Sequence, residues 1–169
     1  IVNSFKNQDL EFKPGTKYSY SSSGYILLGE IVEQITGAKL DVYMESVLFN
    51  PAQMHATFLA TNGILHKENL SKNKHLARGY SFDASATKAT IHEVEYLPMQ
   101  LAGAAGGIIS TAPDLVKWNN ALYSGKIFPI FLVNIMIHPY MATDIENMVT
   151  NTSKMSYAYG MGVGVITSD

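Results

Sequence analysis

Cysteine is absent from the 169 residues, which excludes disulfide staples and thiolate catalysis and leaves the cellular compartment open. Charge is sparse, at 15% of residues with a net of -2, so no excess of positive charge recruits nucleic acid. Long apolar runs are also missing. The longest, residues 128–137 (FPIFLVNIMI), is interrupted by Asn134 and falls far short of the roughly 20 residues that span a bilayer; it reads as a core helix. His55, His66, His75, His92 and His138 show neither H-x-x-x-H nor H-E-x-x-H spacing, so surface or capping roles are their default and no metal site is assigned. The chain opens on Ile1 and has no charged-then-apolar leader, which reads as a piece cut from a longer polypeptide. What is abundant is apolar: 47% hydrophobic and 11% aromatic residues argue against disorder. At this length they fit one domain that buries roughly 68–70% of its unfolded surface.

Periodicity organises the rest. From Ser23 onward Tyr25, Leu28, Val32 and Ile35 recur at helical spacing until Gly37 supplies a left-handed stop. Leu40, Tyr43, Met44, Val47 and Leu48 mark a second helix that Asn50-Pro51 ends, so the two suggest a helical hairpin. Residues 63–74 are polar and without period, as an exposed connection is. Between 78 and 96 a short β-hairpin is indicated, with Thr90, His92, Val94 and Tyr96 alternating against Ile91, Glu93 and Glu95 as a strand with one solvated face does. Thr111-Ala112-Pro113-Asp114 is a helix start, its acid placed to accept backbone N–H groups. Leu115, Trp118 and Leu122 line one face, and Gly125 ends the helix. Another apolar helix is expected from Pro129 to His138. Residues 157–166 (YAYGMGVGVI) read as one strand with a small-residue face, and no earlier segment of comparable strength offers it a partner. Trp118 and the methionines are best explained as core packing.

The hydroxyl-rich run Tyr18-Ser19-Tyr20-Ser21-Ser22-Ser23-Gly24-Tyr25 has two readings. One is a serine-rich loop with a helix cap. The other makes Tyr20 an acid/base and Ser22 a polar substrate contact. A tyrosine in water has a pKa near 10, so only about one in a thousand is ionised at neutral pH; as a base, Tyr20 needs a neighbouring cation.

These residues sit in a longer pattern, FKPGTKYSYSSSGYILLGEIVEQITG over residues 12–37. It resembles the class C-like branch of the serine β-lactamase and penicillin-binding-protein superfamily, which contains β-lactamases, D-alanyl-D-alanine carboxypeptidases and esterases. Four further blocks follow in the family's order. Pro51-Ala52-Gln53-Met54 with Thr57 is similar to P-L-G-M-x-x-T, and Ala77-Arg78-Gly79-Tyr80 to A-x-G-Y. Residues 105–115 (AGGIISTAPDL) are similar to A-G-G-L-x-S-T-A-x-D-L, and Tyr159-Gly160-Met161-Gly162 to Y-G-x-G. The same resemblance makes residues 103–107 a tight turn close to a cleft; their spacing is too irregular for a phosphate loop.

The resemblance implies acyl-enzyme chemistry, in which a serine in S-x-x-K attacks a carbonyl while the motif lysine and the Y-x-N tyrosine manage its proton. Tyr20 matches that tyrosine, and Ser22 stands where the family usually carries asparagine. A serine hydroxyl is shorter than an amide and rotates. The family's nucleophile lies before the position of Ile1 and its K-T-G or H-x-G motif beyond Asp169. Two S-x-x-K matches, at Ser71 and Ser85, follow the tyrosine in loop-like sequence and read as coincidental.

The fold class implied is mainly α with minor β: the helical lobe of a β-lactamase/transpeptidase-like α+β fold over residues 1–156. Residues 157–169 would form one strand returning to a sheet domain outside the chain. Function follows as a segment of a serine hydrolase acting on β-lactams, D-Ala-D-Ala peptides or esters, inactive as an isolated chain. The resemblance implies no cofactor and a periplasmic, cell-envelope or secreted location. The alternatives are a non-catalytic relative, motivated by Ser22, and a structural lobe that assembles with a separate chain, motivated by the unpaired terminal strand.

Overall fold

The computed structural model describes residues 2–60, 76–83, 90–93, 102–142, 155–159, 161 and 164–168. After a turn of 3-10 helix at Val2–Ser4, the first long element is α1 (Ser22–Thr36). It begins one residue before the apolar spacing suggests because Ser21 is its cap: the Ser21 backbone is extended and its hydroxyl accepts the Gly24 N–H at 3.1 Å. Gly37, at φ 67°, ends the helix and donates its N–H to the Glu33 carbonyl. The Glu33 carboxylate reaches past that stop to accept the Leu40 N–H at 2.8 Å, a first-turn donor with no partner inside its own helix. Here α2 (Leu40–Met44) begins, and it runs directly into a π turn over Glu45–Phe49. The helical hairpin is therefore present, its second arm widened at the end.

The described core gathers Phe49, Ala52, Met54 and Ala121, with Met44, Leu48, Trp118 and Ile127 packed against it. Ala121 and Trp118 come from α3 (Ala112–Tyr123), which Thr111 caps by accepting the Asp114 N–H at 3.3 Å and which stops before Gly125 at φ 78°. Its inward face differs from the apolar expectation. Asp114, Ala121 and Leu122 are buried and Leu115 is exposed, because the Asp114 side chain is held inward and turns its neighbour out.

The next helix, α4 (Ile130–Ile137), buries only Val133 and leaves Ile130, Phe131, Leu132 and Ile135 exposed. The expectation of a core helix is thus corrected: a helix apolar at every position but Asn134 meets the rest of the described chain along one stripe.

All described strand pairs are antiparallel. β1 (Phe58–Leu59) pairs with β4 (Ile108–Ile109), matching Phe58 to Ile109 and Leu59 to Ile108. The expected hairpin forms from β2 (Tyr80–Asp83) and β3 (Thr90–Glu93), in register from Tyr80↔Glu93 to Asp83↔Thr90. Its supposed buried face does not form, for every β3 residue is exposed. The ladder, an Arg78–Glu93 ion pair and a Ser81–His92 hydrogen bond, both at 2.7 Å, hold it together.

The single terminal strand is corrected as well. β6 (Met155–Tyr159) and β7 (Gly164–Ser168) form a hairpin, with β5 (Met141–Ala142) on the other edge of β6. Glycines at 160 and 162 lie between the two strands in the sequence and permit a reversal. The strand has partners within the chain, which removes the motive for a separate one, and the boundary at 156 falls inside β6. The connection at 63–74, Ser71, Ser85, His66, His75, Val94 and Tyr96 lie outside the described residues.

Candidate active-site groove

A groove of about 1050 Å³ opens between α1, α2, the β1–β4 ladder and the turn that precedes β4. Tyr25, Leu28 and Val32 supply the α1 side, Leu40 and Met44 the α2 side, and Leu59 and Ile108 the ladder side; among the described residues that line it none is charged. One wall is backbone. Residues 103–106 line the groove, with Gly103–Ala105 wound as a 3-10 turn that starts at φ 44°. That turn lies so near α1 that a Cβ built on Gly29 would stand 2.7 Å from the Ala104 Cβ and 3.1 Å from Leu40 Cδ2, closer than side chains approach. Glycine at 29 is what lets the wall close on the helix.

The tyrosine-serine run forms the mouth. Tyr18, Ser19, Tyr20 and Ser21 all line the groove, and the Tyr20 ring is 70% exposed there, not packed into the interior. Ser21 caps α1, as the first reading of the run expects, and Tyr20 stands one residue earlier at the cleft. Ser22 is the first residue of α1, exposed, and not part of the groove wall.

Behind the wall lies a polar cluster whose extent residue types alone did not indicate. Asp114, 2% exposed, accepts the Ala56 N–H at 2.8 Å and the Thr57 hydroxyl at 2.9 Å through one carboxylate oxygen, and the Lys117 ammonium at 2.6 Å through the other. The Thr57 hydroxyl is also 2.7 Å from that of Ser110. Lys117 also donates to the Gln53 carbonyl at 2.8 Å. Lys117 foremost, then the Ala56 N–H and the Thr57 hydroxyl, hold the Asp114 carboxyl below its ordinary value, against burial, which raises it. The sequence suggested that Asp114 serves N–H groups of its own helix; it serves a loop nearly sixty positions earlier. The signal was present, since Thr57 and Asp114 each fall within a block of the family pattern.

Gln53 belongs to the same loop and adopts φ 61°, the one described non-glycine residue with positive φ. It occupies the glycine position of the family's P-L-G-M block, and the backbone shows why glycine suits it.

A large, mostly apolar groove with a few polar groups at its mouth has the character of a ligand cleft. The chain belongs to the Beta-lactamase family, whose family model matches residues 1–162. It is 35% identical over 172 residues to the mitochondrial serine beta-lactamase-like protein LACTB of Bos taurus, across 96% of this chain and 29% of that protein. Among solved structures it is similar to the D-amino acid amidase of Ochrobactrum anthropi, with a TM-score of 0.70 and 28% identity over 97% of this chain and 43% of that one. The octameric penicillin-binding protein homologue from Pyrococcus abyssi matches with a TM-score of 0.68 and 25% identity, over 90% of this chain and 31% of that one. The fold is accordingly of the β-lactamase/transpeptidase-like type. The chain spans between a fifth and a third of the length of the mammalian relatives it matches.

Proposed function

We propose that the intact protein is a serine hydrolase that forms an acyl-enzyme on a β-lactam, a D-Ala-D-Ala peptide or a small ester, and that this chain is its helical lobe. The observation that carries this reading is the Tyr20 phenol, exposed at the mouth of a mostly apolar groove in a chain of the Beta-lactamase family. In this scheme a serine from the remainder of the protein attacks the substrate carbonyl carbon. Its proton passes to Tyr20, whose ionised form a lysine ammonium stabilises, and then to the departing amine or alkoxide. Water, activated at the same site, releases the acid and restores the serine.

Ser22 is proposed as the polar substrate contact, acting from the exposed first turn of α1. With a short rotating hydroxyl in place of an amide, it costs about two powers of ten in rate if the contact meets developing charge. No cofactor enters the scheme, and the location proposed is the periplasm, cell envelope or exterior.

The full-length protein is expected to hydrolyse nitrocefin or p-nitrophenyl acetate and to be acylated by a fluorescent penicillin. The 169-residue chain alone is expected to do neither above background. Mass-spectrometric labelling of Ser71 or Ser85 would contradict the assignment of those motifs as coincidental. A second reading, favoured by serine at position 22, is a relative that keeps the cleft without the chemistry. Ser22→Asn separates the two: a large gain in turnover marks a decayed enzyme, whereas an active protein indifferent to the change excludes the second reading.

A further inference from the structure

The β1–β4 ladder is only two residues long on each strand, too short to fix its own register, because sheet stability accumulates over longer strands. Yet Leu59 and Ile108, which face each other across it, both line the groove, and residues 103–106 immediately before β4 form the backbone wall. Something beyond ladder hydrogen bonds must hold this wall in place. The Ala60 N–H donates to the Gly107 carbonyl at 2.7 Å, and the Gly107 N–H to the Gly103 carbonyl at 3.0 Å, so the turn is chained to the end of β1. At the other end, Thr57 precedes β1 and Ser110 follows β4, their hydroxyls 2.7 Å apart. Thr57 is anchored in turn by Asp114.

We propose that Asp114 is a positioning residue: through Thr57 and Ser110 it locks the β1–β4 ladder, and so holds the 103–106 turn at the distance from α1 that shapes the substrate groove. This rests on the reading of the groove as the substrate cleft. Asp114 itself touches no groove surface. Buried inside its own cluster, the carboxylate offers directed acceptors that an apolar side chain lacks, and losing one bond leaves a buried partner unsatisfied. Enough of that cost falls on Thr57 and Ser110 to loosen the ladder while the Phe49–Met54 core remains.

The test uses the full-length protein with Thr57→Val, which keeps the shape of the side chain and removes both hydroxyl bonds, and with Thr57→Ser, which restores them. Amide hydrogen exchange over residues 103–110 is expected to accelerate by about tenfold or more in Thr57→Val. KM for an ester substrate should rise by about tenfold with kcat changed by less than about threefold. Thr57→Ser should return both to near the wild-type values. If Thr57→Val does not fold, Ser110→Ala, which removes only the outer hydroxyl, is expected to show the same pattern at smaller amplitude. A lowered melting temperature with unchanged exchange over 103–110 and unchanged KM in whichever variant folds would overturn the proposal. Exchange is read without turnover. A wild-type protein that hydrolyses nothing but shows the exchange pattern defeats the catalytic reading and leaves the lock standing.

Discussion

The two sides of the β1–β4 ladder are built differently. Behind it, Asp114, Thr57, Ala121, Phe49 and Met54 are buried, and the charge and hydroxyls there are matched bond for bond. In front of it, Tyr20, Tyr25, Leu28 and Ile108 are exposed around a groove whose described lining carries no charge. The closed side holds position and the open side presents surface. A packed, satisfied cluster tolerates little change because every group in it depends on another. Groove residues, by contrast, make few contacts whose loss unfolds anything, so substitutions there report on binding and chemistry.

Breaking the closed side should have the largest effect on stability. Phe49→Ala removes a ring that is 3% exposed at the centre of the core and is expected to lower unfolding stability by about 3–5 kcal/mol, read as a shift of the denaturation midpoint. Next, Lys117→Met removes the main cause that keeps the Asp114 carboxyl below its ordinary value of 3.8. A carboxyl lowered in the folded state contributes stability that is present above the unfolded value and lost as pH falls through the folded one. The variant should therefore begin acid unfolding at higher pH than the wild type, and superimposable acid limbs would show that Lys117 does not hold that carboxylate.

Where the two sides meet, Gly29→Ala drives a methyl group into Ala104 and Leu40. A loss of about 1–3 kcal/mol is expected from overpacking, together with weaker substrate binding as the 103–106 wall is pushed out. The smallest effect should be a gain. Gln53→Gly relieves a left-handed backbone while the Gln53 carbonyl still accepts from Lys117, and is expected to stabilise by about 0.5–1 kcal/mol. A loss of stability there would mean that the Gln53 side chain contributes more than its backbone conformation costs.

Local chemistry made much of this legible. The caps at Ser21 and Thr111 and the stop at Gly37 are written in residues that act within one turn of themselves, and so is the position of Tyr20 beside the start of α1. What escaped was long-range. Leu115 looks like a core residue until Asp114 is seen to be bound across the molecule by Ala56 and Thr57. The apolar residues of α4 carry no mark of which stripe will be covered. Alternation across 157–166 could not distinguish one strand from two, since glycines at 160 and 162 are compatible with a bulge as well as a reversal. Ser22 was placed by the family pattern alone, and the serines that line the groove are Ser19 and Ser21.

The proposed function rests on proton transfer by the Tyr20 hydroxyl at the open side of the groove. Its most direct test is Tyr20→Phe in the full-length protein, with kcat for nitrocefin or p-nitrophenyl acetate and the melting temperature measured side by side. Such a role for Tyr20 requires a fall in kcat of about 10²–10⁴ with an unchanged melting temperature, because the residue is largely exposed. A Tyr20→Phe protein that turns over at the wild-type rate would contradict it.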